Sequence, residues 1–250
     1  MPLEASLLPV QERVDDLNHR YAHHAAADVL AHALNDPMVG QTALVSSFGA
    51  ESVVLLHMLS VIDRTTPVLF IDTEMLFPET LDYQQGVAKK LRLTNVQVIR
   101  PDRDQTFLKD PNNGLHRTNP DACCDIRKTQ PLERALLLYD AWITGRKRFH
   151  GGQRQSLAFF EAEGDARIKI NPLAHFSRED LAEYITNNRL PRHPLVAKGF
   201  ASIGCGPCTT RVGEGEDARA GRWRGHDKTE CGIHFVDGKI VPAPTKEQTV

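Results

Sequence analysis

The chemistry of this 250-residue chain is concentrated in its five cysteines, whose spacing divides them into four and one. Cys123 and Cys124 are adjacent, Cys205 and Cys208 form a C-x-x-C, and Cys231 stands alone. A disulfide framework prefers an even count. The N-terminal MPLEASLLPVQERVDD has no basic n-region to suggest export, so a reducing, cytoplasmic compartment is expected. A C-x-x-C turn offers two sulfurs to one metal centre. Adjacent cysteines do so less naturally, because their side chains diverge in a strand and sit about 100° apart on a helix. Both reach one centre only if it lies against a helix end or a turn. The tetrahedron of a single zinc ion suits that poorly, whereas an iron–sulfur centre offers several irons to all-thiolate ligation. Two plainer readings stay open: a buried cysteine pair in either half, and a redox dithiol in the C-x-x-C. The dithiol belongs at a strand–helix junction, and Ile203-Gly-Cys-Gly-Pro-Cys-Thr209 reads as a Gly/Pro turn.

Cys231 differs from the other four. A lone cysteine is most often a small buried hydrophobe, but Lys228-Thr-Glu-Cys-Gly-Ile-His234 is too polar to bury. A thiolate there is a competent nucleophile, and nearby cations lower its pKa. Arg211, Arg219, Arg222, Arg224 and Lys228 lie upstream, interleaved with Glu214, Glu216, Asp217 and Asp227. The segment is therefore either a local cationic site or a solvated face of mixed charge. A second candidate is Ser46-Ser-Phe-Gly-Ala-Glu-Ser52, between an apolar strand and an apolar helix. Backbone N–H groups at such a turn, with a helix N-terminus behind them, cradle anions, and Ser46, Ser47 and Ser52 add hydroxyls. An ordinary loop rich in small residues is the alternative. The loop lacks the Lys-Ser/Thr ending of a Walker A sequence.

Strands alternate with helices around these residues. Strands are expected at Thr42–Val45, Pro67–Ile71, Asn95–Ile99, Ala141–Thr144 and Ile168–Ile170. Helices are expected over 52–59, from Pro78 onward, over 125–139, and from Ser177 to about Asn188, the last with a capping-box start through Asp180. The pattern predicts an α/β fold with a mostly parallel sheet flanked by helices. Loops after the strands then share one edge, where the backbone at Ile71 and Gly145 is placed to meet an adenine. We expect a single domain over 1–250: an N-terminal amphipathic helix in 1–36, a nucleotide-binding core over 40–195 and a C-terminal extension over 196–250. Thirty Lys and Arg against 32 Asp and Glu, a net charge of −2, argue against a nucleic-acid clamp. No apolar run reaches the roughly 18 residues of a membrane span.

The loop resembles the Ser-x-Gly-x-Asp-Ser signature of the PP-loop superfamily, with Ser47, Gly49, Glu51 and Ser52 at its positions and Ala50 where adenylating members carry Lys. Asp72-Thr-Glu-Met-Leu-Phe-Pro-Glu-Thr80, Cys-Cys-Asp-Ile-Arg-Lys-Thr-Gln-Pro-Leu, His193 to Thr209, and Glu-Cys-Gly-Ile-His are similar to words of one branch, the adenosine 5′-phosphosulfate (APS) reductases. The resemblance covers roughly residues 42–235. It implies a PP-loop, adenine nucleotide alpha hydrolase-like fold with a catalytic C-terminal extension. It also implies a [4Fe-4S] cluster on Cys123, Cys124, Cys205 and Cys208, with Cys231 as nucleophile. Substrate contacts are implied at Ser46, Ser47, Gly49, Glu51, Lys128, Arg154, Arg219 and Arg222. One departure is plain: Phe149, His150 and Gly151 stand where the family typically carries Asp-Gln-Ser.

The implied reaction reduces APS to sulfite and AMP through an S-sulfocysteine on Cys231, with thioredoxin as electron donor, in assimilatory sulfate reduction. No thioredoxin-like module is visible in the sequence, so the donor is expected on another chain; a homo-oligomer is allowed but not specified. Reduction of the 3′-phosphorylated substrate (PAPS), alone or beside APS, is the nearest alternative. A tRNA thiolation enzyme predicts a basic face and an intact adenylating loop, which net charge and Ala50 oppose. A zinc-stabilised nucleotide-binding module leaves Cys231 without a role. Trp142 and Trp223 are expected to pack rather than stack on a base.

Overall fold

The computed structural model describes residues 8–150, 154–226 and 228. Two helices, α1 (Val10–Tyr21) and α2 (Ala26–Ala33), precede β1 (Thr42–Ser46), α3 (Ser52–Ile62), β2 (Val68–Ile71), α4 (Pro78–Leu91) and β3 (Val96–Ile99). Then come α5 (Arg103–Lys109), α6 (Leu115–Thr118), α7 (Pro120–Cys124), a π-helical turn (Asp125–Thr129) and α8 (Gln130–Leu136). The sheet is completed by β4 (Ala141–Ile143), β5 (Phe160–Glu163) and β6 (Arg167–Ile170), and α9 (Arg178–Asn187) follows. Strand order is β3-β2-β1-β4-β6-β5, parallel throughout except for β5 against β6.

Period-two alternation in the strands serves two cores. Leu44, Val68, Phe70 and Ile143 face the larger one, shared with α1 to α4 and α9. Ala43, Leu69, Ile71 and Trp142 face the smaller one under Leu132 and Leu136 of α8. The chain builds outward from β1 to β3, then crosses back to place β4 on the other side of β1. The order of strand addition therefore reverses between the parallel neighbours β1 and β4, and the loops leaving those two strands flank a crevice. Open α/β sheets bind their ligands at such switch points.

Three expectations change. The single N-terminal helix is two, because α2 folds back on α1: the Tyr21 hydroxyl donates to Asp36 Oδ2 (2.8 Å) and its ring stacks on His32 at 4.8 Å. β5 was not foreseen. It forms a hairpin with β6 around Gly164, whose φ of +57° suits glycine, and its outer edge is closed by Asn18, which exchanges two hydrogen bonds with the Phe160 backbone (2.8 and 3.0 Å). The helix expected over 125–139 begins earlier, at Pro120, with Asn119 as N-cap accepting from the Ala122 amide at 3.0 Å, and it passes through the π turn before ending at Leu136. The Ser177–Asp180 capping box and Pro78 at a helix start are as expected.

Candidate nucleotide and four-thiol site

The loop after β1 is held open by its own side chains. Ser46 Oγ accepts from the Phe48 amide (3.1 Å) and Ser52 Oγ from the Gly49 amide (3.0 Å). Phe48 has a φ of +47°, a region costly for a side chain with a Cβ. Its ring is fully buried and meets Phe70 edge-on at 5.3 Å, which anchors the strained turn. Ser47 is left exposed at the rim of the loop, and Gly49 is buried.

Across the switch point, the segment after β4 closes against this loop. Lys147, 4 % exposed, places Nζ 2.6 Å from Glu51 Oε2, and His150 Nε2 faces the same oxygen at 3.4 Å. Burial works against the charge on Glu51, but the contacts from His150 and Lys147 outweigh it and bring its carboxyl down to about 2. On its other side His150 Nδ1 lies 3.0 Å from an Arg154 guanidinium nitrogen. Glu51, Lys147, His150 and Arg154 thus form one connected cluster beside the anion loop. The ends of β2 at Ile71 and β4 at Gly145 lie on the same edge of the sheet, Ile71 buried and Gly145 exposed. Nothing local in the sequence pairs Lys147 or His150 with Glu51, which lies 96 residues before Lys147; only the crossover order does.

The four paired cysteines converge. Cys123, Cys124, Cys205 and Cys208 line one small pocket, with Thr73, Met75, Arg127, Lys128, Arg222 and Trp223 completing its wall. Two features of the chain make this possible. The adjacent pair sits at the last residues of α7, where the helix widens into its π turn, so Cys123, Cys124, Arg127 and Lys128 share one side. The C-x-x-C segment is clipped to the loop after β2 by an isolated bridge between Leu76 and Cys205 and by the Gly206 amide donating to the Met75 carbonyl (2.7 Å). Cys205 Sγ also contacts Thr73 Oγ1 at 3.2 Å. Thr73, Arg127 and Trp223 belong to the pocket without having been singled out for it. The first two lie within or beside quoted motifs, at Thr73 and one residue before Lys128.

Burial, reinforced by Cys124 and the other two sulfurs, pushes the Cys123 thiol up to about 12, and burial with Cys205 raises Cys208. Cys123 and Cys208 are thus held as thiols by burial and by their sulfur neighbours, and cationic charge beside them would favour the thiolates. Among the described residues no three His, Cys, Asp or Glu side chains form a group suited to a single metal ion; the sulfurs ring a pocket instead. Four thiols on one pocket wall are the donor chemistry of a thiolate-ligated metal centre.

The two halves of the site touch. A Cβ added at Gly49 would stand 3.4 Å from the Ile203 carbonyl, so the loop after β1 runs beside the segment that delivers Cys205. A Cβ at Gly204 would meet the Arg222 guanidinium, which also stacks on Trp223 at 4.5 Å. Arg222 is thereby held against the C-x-x-C segment, on the wall of the thiol pocket. Arg219 does not line the thiol pocket; it opens the turn that delivers Arg222, whose amide donates to its carbonyl at 2.9 Å. Arg224 is committed to Glu216 (2.8 Å), as a solvated mixed-charge face would have it. Cys231 and His234 lie outside the described residues, as does Gly151.

A mostly parallel α/β sheet with a serine-rich loop at its switch point and four thiols gathered nearby has the architecture of the PP-loop enzymes. Residues 41–211 match the phosphoadenosine phosphosulfate reductase domain family, and the chain belongs to that family. It is 49 % identical over 226 residues to an adenosine 5′-phosphosulfate reductase of Mesorhizobium japonicum, covering 90 % of this chain and 89 % of the relative. It is 47 % identical over 235 residues to a protein of the same name from Chelativorans sp., covering 94 % of each. Among solved structures it resembles a phosphoadenylyl-sulfate (PAPS) reductase from Candida auris in a phosphate complex, with a TM-score of 0.67 and 30 % identity over 78 % of this chain and 95 % of that one.

Proposed function

We propose that the chain reduces adenosine 5′-phosphosulfate to sulfite and AMP in sulfate assimilation, with reduced thioredoxin as electron donor. The observation that carries this reading is the convergence of Cys123, Cys124, Cys205 and Cys208 beside the anion loop, in a chain whose near relatives bear the APS reductase name. Ser46, Ser47 and Gly49 present the loop to the phosphosulfate, while Glu51 positions the cations around it. Backbone groups at Ile71 and Gly145 meet the adenine. Lys128, Arg154, Arg219 and Arg222 supply the positive charge a doubly anionic substrate needs.

The Cys231 thiolate attacks the sulfur of APS. A new S–S bond forms, the S–O bond breaks with its electron pair leaving on AMP, and Cys231 carries a sulfonate. AMP is a good leaving group, so no general acid is demanded of the chain. A thioredoxin thiolate then attacks Cys231 Sγ and sulfite departs. The second thioredoxin thiol resolves the mixed disulfide and returns Cys231 as a thiolate. The net reaction consumes two thiols and yields one disulfide, with no redox step at the metal centre.

The pocket's donor set fits a [4Fe-4S] cluster held by Cys123, Cys124, Cys205 and Cys208. When bound, the cluster would carry a net negative charge with its four thiolates, pair with the Lys128 ammonium on the pocket wall, and tie the extension to the core. Among the described residues no helix is long and apolar enough to cross a membrane, which suits the proposed cytoplasmic location.

Steady-state turnover with thioredoxin tests the reading. Release of AMP and sulfite from APS, with kcat/KM well above that for PAPS, supports it. A preference for PAPS would transfer the assignment to the alternative that the family name and the Candida auris relative represent. Absence of turnover with both would remove it.

A further inference from the structure

His150 stands where the sequence departs from the family pattern, and the structure gives that departure a task. Its ring is wedged between the anion loop and the basic segment, with its side chain only 14 % exposed. Phe149 packs edge-on against it at 4.5 Å, itself covered by the Arg178 guanidinium at 5.0 Å. The charged groups facing the imidazole are Glu51 from the loop after β1, and Lys147 and Arg154 from its own segment. Arg148 is directed away, donating to the Leu157 carbonyl at 2.8 Å.

A guanidinium has no acceptor, so Nδ1, 3.0 Å from Arg154, must present its lone pair there. The proton then resides on Nε2, which points at the Glu51 carboxylate. One neutral tautomer satisfies both neighbours. Protonation would set an N–H against the guanidinium and add a cation beside Lys147. Burial, with that lysine and Arg154, accordingly lowers the His150 pKa although Glu51 pulls the other way.

We propose that His150 is a positioning residue for the nucleotide site: through its two ring nitrogens it links the Glu51 carboxylate of the anion loop to Arg154 and fixes that guanidinium toward the phosphosulfate. This inference rests on the reading of the site given above. It makes His150 a determinant of substrate affinity rather than of the sulfur chemistry. Affinity falls in acid, below the ordinary imidazole value, as the ring takes up its second proton.

The test compares wild type, His150→Ala and His150→Gln in APS turnover from pH 5.5 to 8.5, with AMP binding by calorimetry and thermal melts alongside. At pH 8 the alanine variant should raise KM for APS and Kd for AMP about tenfold with kcat within about twofold, the size expected when a charge-assisted contact is lost. Glutamine offers one donor and one acceptor and cannot titrate. It should restore both constants to within about threefold and abolish their rise in acid. Unchanged KM and Kd in His150→Ala, a loss confined to kcat, or a glutamine variant that melts normally yet binds no better than alanine would each overturn the proposal. Wild type that binds AMP but does not turn over APS would sink the assigned reaction while the AMP comparison still decides the role of His150. Wild type inert to both removes the reading and the inference with it.

Discussion

Glu51 and Lys147 meet as an ion pair of 2.6 Å across the point where the sheet reverses its order. One stands at the N-cap position of the helix after β1 and the other follows β4, so the pair ties the loop after β1 to the opposite wall of the crevice. Lys147 is almost wholly buried, and burial lowers its pKa against the pull of Glu51. Glu51 keeps about a third of its side-chain surface in solvent.

Removing the cation should therefore cost an intermediate amount. Lys147→Met leaves a half-buried carboxylate without its main partner, and we expect a loss of roughly 2 kcal/mol, between the values for exposed and buried pairs. Urea denaturation measures it, and Glu51→Gln combined with Lys147→Met should recover part of the loss as a positive coupling. A change near zero would show that solvent already does what the lysine does. The carboxyl of Glu51 is depressed to about 2, so the pair's stabilisation is complete above its unfolded pKa and fades only as pH falls toward 2.

His193 predicts a different pH window. It is 1 % exposed, accepts from the Leu195 amide at Nδ1 (3.2 Å) and contacts Thr80 Oγ1 through Nε2 (3.1 Å), so both neighbours suit a neutral ring. Burial pushes its pKa down to about 4. The unfolded chain then binds up to one more proton than the folded one between about pH 6.5 and 4, and stability is lost as pH is lowered through that window, by up to about 1.4 kcal/mol per pH unit. His193→Asn should flatten that slope in denaturant titrations run from pH 7 to pH 4.5. An unchanged slope would place the sensitivity elsewhere.

The sequence made the alternation of strands and helices, the helix starts at Pro78 and Ser177 and the gathering of four cysteines readable, because each rests on local pattern or residue type. β5 was hidden by composition: Phe160-Glu-Ala-Glu carries two carboxylates in four residues, and its edge is closed by a side chain 142 positions away. A hint did exist in Gly164-Asp165 between two short apolar-containing runs. The π turn was not readable at all. Its register is bound up with the tertiary contacts of Arg127, which reaches back to Asp110 and the Thr73 carbonyl. The Glu51–Lys147–His150 cluster follows from crossover topology, which the alternation allowed but did not determine.

Arg127 also carries a stability prediction. Its guanidinium lies 3.2 Å from Asp110 Oδ2 and 2.6 Å from Asn113 Oδ1, with both members of the ion pair 3 % exposed at the side chain. Arg127→Met strands the Asp110 carboxylate and should lower unfolding free energy by about 3–5 kcal/mol. Asp110→Asn together with Arg127→Met should be distinctly more stable than the single Arg127 variant, since no uncompensated charge remains. Equal stabilities for the two would show that the loss is one of packing alone.

The four-and-one division of the cysteines is separable by mutation. Serine at position 123, 124, 205 or 208 removes a thiolate from the pocket, and each variant should lose iron, acid-labile sulfide and the brown absorbance of a cluster. Because a bound centre stabilises the folded state that holds it, each should also melt earlier than the loaded protein. Treating the wild type with a chelator under oxidising conditions should reproduce that earlier melting. Cys231→Ser is expected to keep iron, colour and melting temperature, yet form no sulfonated adduct with APS and release no sulfite. Iron and sulfide assays, the visible spectrum and mass spectrometry after APS exposure read these outcomes independently. A Cys231→Ser protein that still acquires the sulfonate would move the nucleophile elsewhere. A colourless zinc protein, indifferent to loss of Cys123 or Cys124, would undo the cluster assignment and leave the pocket to a smaller ion.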